Sequence, residues 1–282
     1  MITALAYPAM HGFVHTKGNS IMPKFAANLT WMFHEHEFTD RFGAARDLGF
    51  EAVECQFPYE WEKGLLAERL AASGLQQVMF NMPPGDTEKG EYGLAGLPGR
   101  SGEFRESVAK ALEYANALGC RMLHVLAGII PSGSSRRDCM DIYVENVRWA
   151  ALQCARSDVT VLVEPINTFE RPGYLISTSV EARQAIERIG GDNLGMQFDF
   201  HNAQLMEGNL TAVLESSIPY VRHMQIAGVP GRTPPDRGEI NYPYLFQLVD
   251  DLGYTGWIGC EFRCGEPTAG GLRWARNFGI GS

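Results

Sequence analysis

The chain has 282 residues, 45% hydrophobic, 11% aromatic and 20% charged, with 24 Lys+Arg against 33 Asp+Glu for a net charge of −9. That is ordinary globular composition, and it excludes disordered, collagenous and coiled-coil chains. The acidic balance argues against a broad nucleic-acid or anionic-membrane surface, and no apolar run is long enough for a transmembrane helix.

The first 21 residues have no clear period and read as an N-terminal extension, 1–21, ahead of one domain over 22–282. The basic region and long apolar stretch of a signal peptide are missing. His11 and His15 within it read as solvated. From Lys24 onward strands and helices alternate. Short apolar, β-branched runs predict strands at 24–29, 51–55, 76–81, 121–126, 160–164, 194–199, 221–226 and 257–262. Amphipathic patterns predict helices at 38–48, 61–73, 103–118, 138–156, 178–190, 209–217, 243–252 and 268–278. Several helices end in glycine (Gly49, Gly74, Gly119, Gly190, Gly253), and Thr178-Ser179 and Asn209 are expected N-caps. Eight βα units in this length predict a single-domain α/β fold, the (β/α)8 TIM barrel. The turn after the first strand, Thr30-Trp31-Met32-Phe33, lacks the glycines of a dinucleotide-binding fold.

Two long Gly-rich loops, Asn81–Gly102 and Ala127–Arg136, follow strands at the face where barrel active sites lie, and are expected to act as a lid. His34-Glu35-His36 fits no metal spacing and reads as solvated or lid-facing; Glu60-Trp61-Glu62 reads as a helix start. Six scattered cysteines without a CxxC pair predict free thiols and a reducing, cytoplasmic setting.

Four consecutive strands then close on an oxygen-bearing side chain: Glu164, Asp199, Gln225 and Glu261. Buried carboxylates that converge without a cation repel, so these four predict an oxygen-ligated divalent ion, Mg²⁺ or Mn²⁺. Residues two back share their face, which puts His223 beneath Gln225 as a supporting hydrogen-bond partner. Arg263 and Arg232 are expected to receive the anionic group of a small substrate, and His201 and Asn202 to touch it from the rim.

The stretches Val163-Glu164-Pro165-Ile166-Asn167, Gln197–Gly208, His223-Met224-Gln225-Ile226-Ala227, Gly238–Tyr242, Gly259-Cys260-Glu261-Phe262, Phe80–Asp86 and Leu97–Arg100 together resemble the hydroxypyruvate isomerase family of xylose-isomerase-like TIM barrels. The resemblance runs from about Met22 to Arg276. It implies that the four residues hold a divalent metal. It further implies that Glu164 and Glu261 are the acid–base pair of an isomerase interconverting hydroxypyruvate and tartronate semialdehyde through an enediolate. A branch of the family acts on 2-oxo-tetronates, and a small keto-sugar epimerase is the neighbouring alternative. A polyol dehydratase and an inactive ligand-binding barrel are the more distant ones. The chain departs from the family's common residues at Asn202 (usually His), Gly228 (usually Asp), Arg263-Cys264 (usually Lys-Pro) and Thr87 (usually Trp). All lie near the expected mouth. The partner expected is a small sugar acid, with no nucleic acid or membrane. Barrels of this type often associate into homo-oligomers, although no stripe in the sequence marks an interface.

Overall fold

A computed structural model describes residues 23–265 and 267–281. The proposed extension, 1–21, with His11 and His15, lies outside the described residues. Nine parallel strands form one sheet: β1 (Lys24–Asn28), β2 (Ala52–Glu54), β3 (Gln76–Gln77), β4 (Met79–Asn81), β5 (Met122–His124), β6 (Thr160–Val163), β7 (Leu194–Asp199), β8 (Val221–Ile226) and β9 (Trp257–Cys260). β1 pairs with both β2 and β9, and the order continues without a crossover to β4 and β3 at the two ends. Those ends are one stretch of chain. β3 pairs with β2, β4 pairs with β5, and Val78 between them donates to the Val53 carbonyl at 2.8 Å. The expected strand 76–81 therefore closes the barrel by changing partner midway, and nine strands fill eight positions.

The helices are α1 (Arg41–Asp47), α2 (Lys63–Ser73), α3 (Ser101–Leu118), α4 (Arg136–Ala155), α5 (Ser179–Ile189), α6 (Phe200–Met206), α7 (Leu210–Ser217) and α8 (Tyr242–Asp251). α5 opens on a full capping box, in which Thr178 accepts from the Glu181 amide and Glu181 accepts in return. Asn209 precedes α7 in a left-handed conformation and makes no side-chain cap. The helix expected over 268–278 is instead two 3₁₀ turns, Thr268–Gly271 and Arg273–Phe278. Gly270-Gly271 weaken an α-helix there. α6 was not expected. It starts directly off β7, with Asp199 capping the His201 amide at 2.8 Å, so no loop separates strand from helix.

Strand alternation sorts the side chains. Ala26 and Asn28, Ala52 and Glu54, Leu162 and Glu164, Gln197 and Asp199, His223 and Gln225, and Gly259 and Glu261 share one parity and face the barrel axis. Their neighbours, such as Phe25, Val53, Leu123, Val161, Met196, Met224 and Ile258, are buried in the main core beneath the helices. The axis is apolar at its N-terminal end, where Ala26, Ala52, Val78, Met79 and Leu162 pack together, and polar at the other.

The loop Asn81–Gly102 is a wall rather than a lid. Met82, Leu94, Ala95 and Leu97 are buried, and the Gly96 amide donates to the Ala127 carbonyl at 2.9 Å. Gly93 has φ +116°, and a Cβ there would meet the Leu126 carbonyl oxygen at 2.4 Å and the Gly128 nitrogen at 2.6 Å. Neither backbone atom can yield, so Gly93→Ala combines strain with overpacking. It is expected to cost about 3 kcal/mol, measured by urea unfolding, and to increase proteolysis within residues 82–100.

Candidate active site

The polar end of the barrel holds a cavity of about 340 Å³. Glu164, Asn202, Gln225, Arg232 and Glu261 line it together with Asn81, Gln197 and the partly exposed Gln56, and the more exposed Trp31, Tyr92, Glu170, Arg171 and Arg263 mark its mouth. Glu164 follows β6 and Glu261 follows β9; each is 6% exposed. Asp199 ends β7 and Gln225 lies in β8, both 1% exposed. The four residues marked by the sequence thus meet at one end of the barrel.

The cation among them is Arg232. Its Nη1 lies 2.7 Å from Glu261 Oε2 and 3.2 Å from Asp199 Oδ2, and its Nε and Nη2 each reach Glu170 Oε2 at 3.2 Å. Burial opposes the guanidinium's charge, but Asp199, Glu261 and Glu170 outweigh it and hold the proton more firmly than usual. Arg232, expected to receive the substrate's anionic group, is an internal counter-ion at 5% exposure that also lines the cavity. It sits at φ +55°, in a left-handed turn whose carbonyl accepts from the Arg263 amide at 2.8 Å.

The two glutamates have contrasting surroundings. Glu164 Oε1 accepts from Asn202 Nδ2 at 3.0 Å and Oε2 from Gln197 Nε2 at 2.8 Å, with no hydrogen bond from a cation. Burial, with the charges of Glu261 and Asp199, pushes its pKa well above the usual carboxylate range. Glu261 Oε2 has Arg232 and Oε1 accepts from Gln56 Nε2 at 3.1 Å. Burial raises it to about 7, with Arg232 pulling the other way.

The remaining expectations separate. Asn202 is 2% exposed, lines the cavity as expected and also donates to Glu164. His201 is 1% exposed; it points away from the cavity, with Nδ1 3.1 Å from the Gly228 carbonyl and Nε2 3.4 Å from Glu170. The unforeseen helix α6 turns it there, so it is a support rather than a rim contact. His223 does not bond Gln225; its Nε2 lies 2.6 Å from Glu54 Oε2. Arg263 does reach the mouth, stacked over Trp31 with its guanidinium 4.9 Å from the ring centre. His34 and His36 are exposed, whereas Glu35 accepts from the Thr268 amide at 2.7 Å and ties the first loop to the last.

Sequence reasoning missed Glu54, Gln56, Asn81, His124 and Glu170. Glu54, Asn81 and His124 have the inward parity of the marked residues and end β2, β4 and β5, but Glu54 and His124 fell inside the expected strands 51–55 and 121–126 rather than at their ends. Glu170 lies in an irregular loop and had no periodic signal.

An oxygen-only donor set with several carboxylates around one buried guanidinium fits a hard divalent cation in its chemistry. In the arrangement observed, no three His, Cys, Asp or Glu side chains among the described residues form a common ion site. Asp199 and Glu261 converge on Arg232 instead.

The sequence profile of the family described as xylose isomerase-like TIM barrel matches residues 42–278. The chain is 48% identical to the 2-oxo-tetronate isomerase of Cupriavidus necator, over 91% of this chain and 99% of that one. It is 41% identical to the hydroxypyruvate isomerase of Escherichia coli, over 90% and 98%. A solved structure from Brucella melitensis, described as an AP endonuclease of family 2, superposes with TM-score 0.89 at 46% identity, over 91% of this chain and 99% of that one. The chain belongs to the xylose isomerase-like TIM barrel family. Within that family it is an enzyme of the isomerase class.

Hydrogen bonding from His201 and the charge of Arg232 hold Glu170 well below the usual carboxylate range, against burial. A depressed folded pKa gives stability that is present above the unfolded value near pH 4.3 and lost as pH falls through the folded one. Glu170→Gln should therefore lower stability at pH 7 by about 1 kcal/mol, a modest figure because the Glu170 side chain is 39% exposed and solvent screens the pair. Chemical unfolding of both proteins should show that gap closing below pH 4.

Proposed function

We propose that the protein is a sugar-acid isomerase that interconverts hydroxypyruvate and tartronate semialdehyde by carboxyl-mediated proton transfer. The observation that carries this reading is the pair of buried glutamates, Glu164 and Glu261, facing one cavity with opposed environments. Such contrast is how one site keeps an acid and a base at the same pH. Glu261, supported by Arg232 and Gln56, is the base that removes a proton from C3 of hydroxypyruvate. Glu164, whose surroundings favour the neutral carboxyl, delivers a proton to C2. The C3–H bond breaks and a C2–H bond forms, while the C3 hydroxyl proton passes to O2. The substrate carboxylate is assigned to Arg263, whose guanidinium makes no hydrogen bond among the described residues. Arg171, stacked 4.3 Å over Tyr92, flanks it. Asn202, which also lines the cavity, holds Glu164 in place.

Glu164, Asp199, Gln225 and Glu261 are the residues that would hold Mg²⁺ or Mn²⁺. A bound ion would stabilise negative charge developing on the substrate oxygens. A second reading, a 2-oxo-tetronate isomerase, is favoured by the name of the relative at 48% identity and by a cavity with room for a fourth carbon. Six free cysteines support a reducing, cytoplasmic setting, and the net charge of −9 supports a small-molecule partner over nucleic acid. No helix of the described residues is long and apolar enough to cross a membrane.

Incubation in D₂O with hydroxypyruvate, followed by NMR, should show exchange at C3 with formation of aldehyde. Glu164→Gln and Glu261→Gln should each slow it by about 10²–10⁴. Exchange with a four-carbon 2-oxo acid alone would move the protein to the second reading; no exchange with either would refute both. For the metal, calorimetric titration of Mn²⁺ should show one site per chain, weakened about 10–100-fold in Asp199→Asn, and no heat of binding would remove the ion from the account.

A further inference from the structure

Beneath the two glutamates lies a buried carboxylate that the reaction above does not use. Glu54 is fully buried in β2 on the far side of the axis from Glu164. Its Oε1 accepts from Asn28 Nδ2 and Gln225 Nε2, both at 2.8 Å, and His223 Nε2 lies 2.6 Å from its Oε2. Gln225 Oε1 in turn accepts from Gln197 Nε2 at 2.7 Å, and the same nitrogen donates to Glu164 Oε2 at 2.8 Å. One line of hydrogen bonds therefore crosses the barrel from Glu54 through two amides to Glu164.

The direction of that line is not free. A side-chain amide has a donor end and an acceptor end, and an ionised carboxylate only accepts. At the start of the line the Thr30 backbone amide donates to Asn28 Oδ1 at 3.0 Å, which turns Asn28 Nδ2 toward Glu54. At its end the Asn167 backbone amide donates to Asn202 Oδ1 at 3.3 Å, which turns Asn202 Nδ2 toward Glu164. Backbone N–H groups cannot be reversed, so both outer amides have one orientation. The inner two, Gln225 and Gln197, have no backbone anchor: one end of the pair faces Glu54, and the other faces Glu164, whose carboxyl is driven toward the neutral form and can then accept or donate. Were Gln225 to turn over, its NH₂ would face the NH₂ of Gln197. Gln197 would then turn over too and present its carbonyl oxygen to Glu164.

The fold also makes room for this carboxylate. Gly259 is the register partner of Gln225 on β9. A Cβ on Gly259 would lie 2.2 and 2.3 Å from the two Glu54 oxygens.

We propose that Glu54 is a positioning residue: its acceptor-only carboxylate sets the orientation of Gln225 and, through it, of Gln197, so that Glu164 is met by a donor rather than an acceptor. This rests on the role of Glu164 proposed above. The effect is on proton delivery, not on substrate capture, because neither Arg263 nor Arg171 belongs to the line.

The test compares Glu54→Leu, Glu54→Gln and Gly259→Ala with the full-length wild type, for kcat and KM with whichever 2-oxo acid the wild type isomerises. Glu54→Leu, which removes the acceptor at similar volume, should lower kcat about 30–300-fold with KM changed less than about threefold. Gly259→Ala, which removes no polar atom and only displaces Glu54, should do the same. Glu54→Gln should recover most of the lost kcat: Asn28 is fixed as a donor, so the new carbonyl oxygen must stay opposite Asn28 and Gln225. His223 then takes its other tautomer to accept from the new NH₂. A second readout needs no turnover. In side-chain ¹⁵N-glutamine spectra, assigned with Gln197→Met and Gln225→Met, the two NH₂ groups should exchange slowly in wild type and Glu54→Gln and rapidly in Glu54→Leu. Kcat kept within twofold by a folded Glu54→Leu would overturn the proposal. So would a Glu54→Gln as impaired as Glu54→Leu, which would mean that charge rather than acceptor polarity matters. Failure of the underlying reading is seen separately, as full activity in Glu164→Gln, while the exchange data still judge the orientation of the amides.

Discussion

Carboxylates buried at one end of a barrel axis repel one another, and most of the local structure here follows from containing that repulsion. Glu164, Asp199 and Glu261 have left water, and a lone buried carboxylate costs several kcal/mol. The protein meets this in three ways. Arg232 brings a guanidinium into the middle and contacts Asp199, Glu261 and Glu170 at once. Amide groups of Gln56, Gln197 and Asn202 supply neutral donors. Glu164, the one carboxyl without a hydrogen bond from a cation, is driven toward its neutral form. The same arrangement that limits the repulsion separates the proton affinities of the two glutamates, so the stability problem and the proposed chemistry have one physical origin.

Arg232 links the site to the loop that follows β8. Its left-handed backbone is held by the Gly228–Thr233 bridge and by the Arg263 amide, and its guanidinium lies 5.4 Å from the Trp31 ring on which Arg263 also stacks. The cation inside and the cation at the mouth thus share one aromatic support. Any divalent ion bound by Asp199 and Glu261 would compete with Arg232 for the same oxygens.

Much of the fold was legible in the residues. The count of βα units, the Gly ends of α2 and α3, and the Thr178–Glu181 cap all reflect local chemistry, which a linear reading captures. Closure of the barrel through 76–81 was not legible, because a change of partner at Val78 depends on where β2 and β5 lie. The final 3₁₀ turns and α6 were missed for a related reason. Apolar spacing alone does not separate a weak helix from a tertiary turn, and Asp199 looked like a strand end when it is also a helix cap.

The sequence by itself determined which residues meet. Strand parity is a covalent fact, and once eight strands surround one axis Glu164, Asp199, Gln225 and Glu261 must share its polar end. Only the tertiary structure decided what each of them touches. That Arg232 turns inward, that His201 turns away, and that His223 answers to Glu54 rather than Gln225 depend on distances between strands and loops far apart in the chain. Hydrogen bonds and charge pairs act over about 3 Å, and no periodicity along the sequence carries that information.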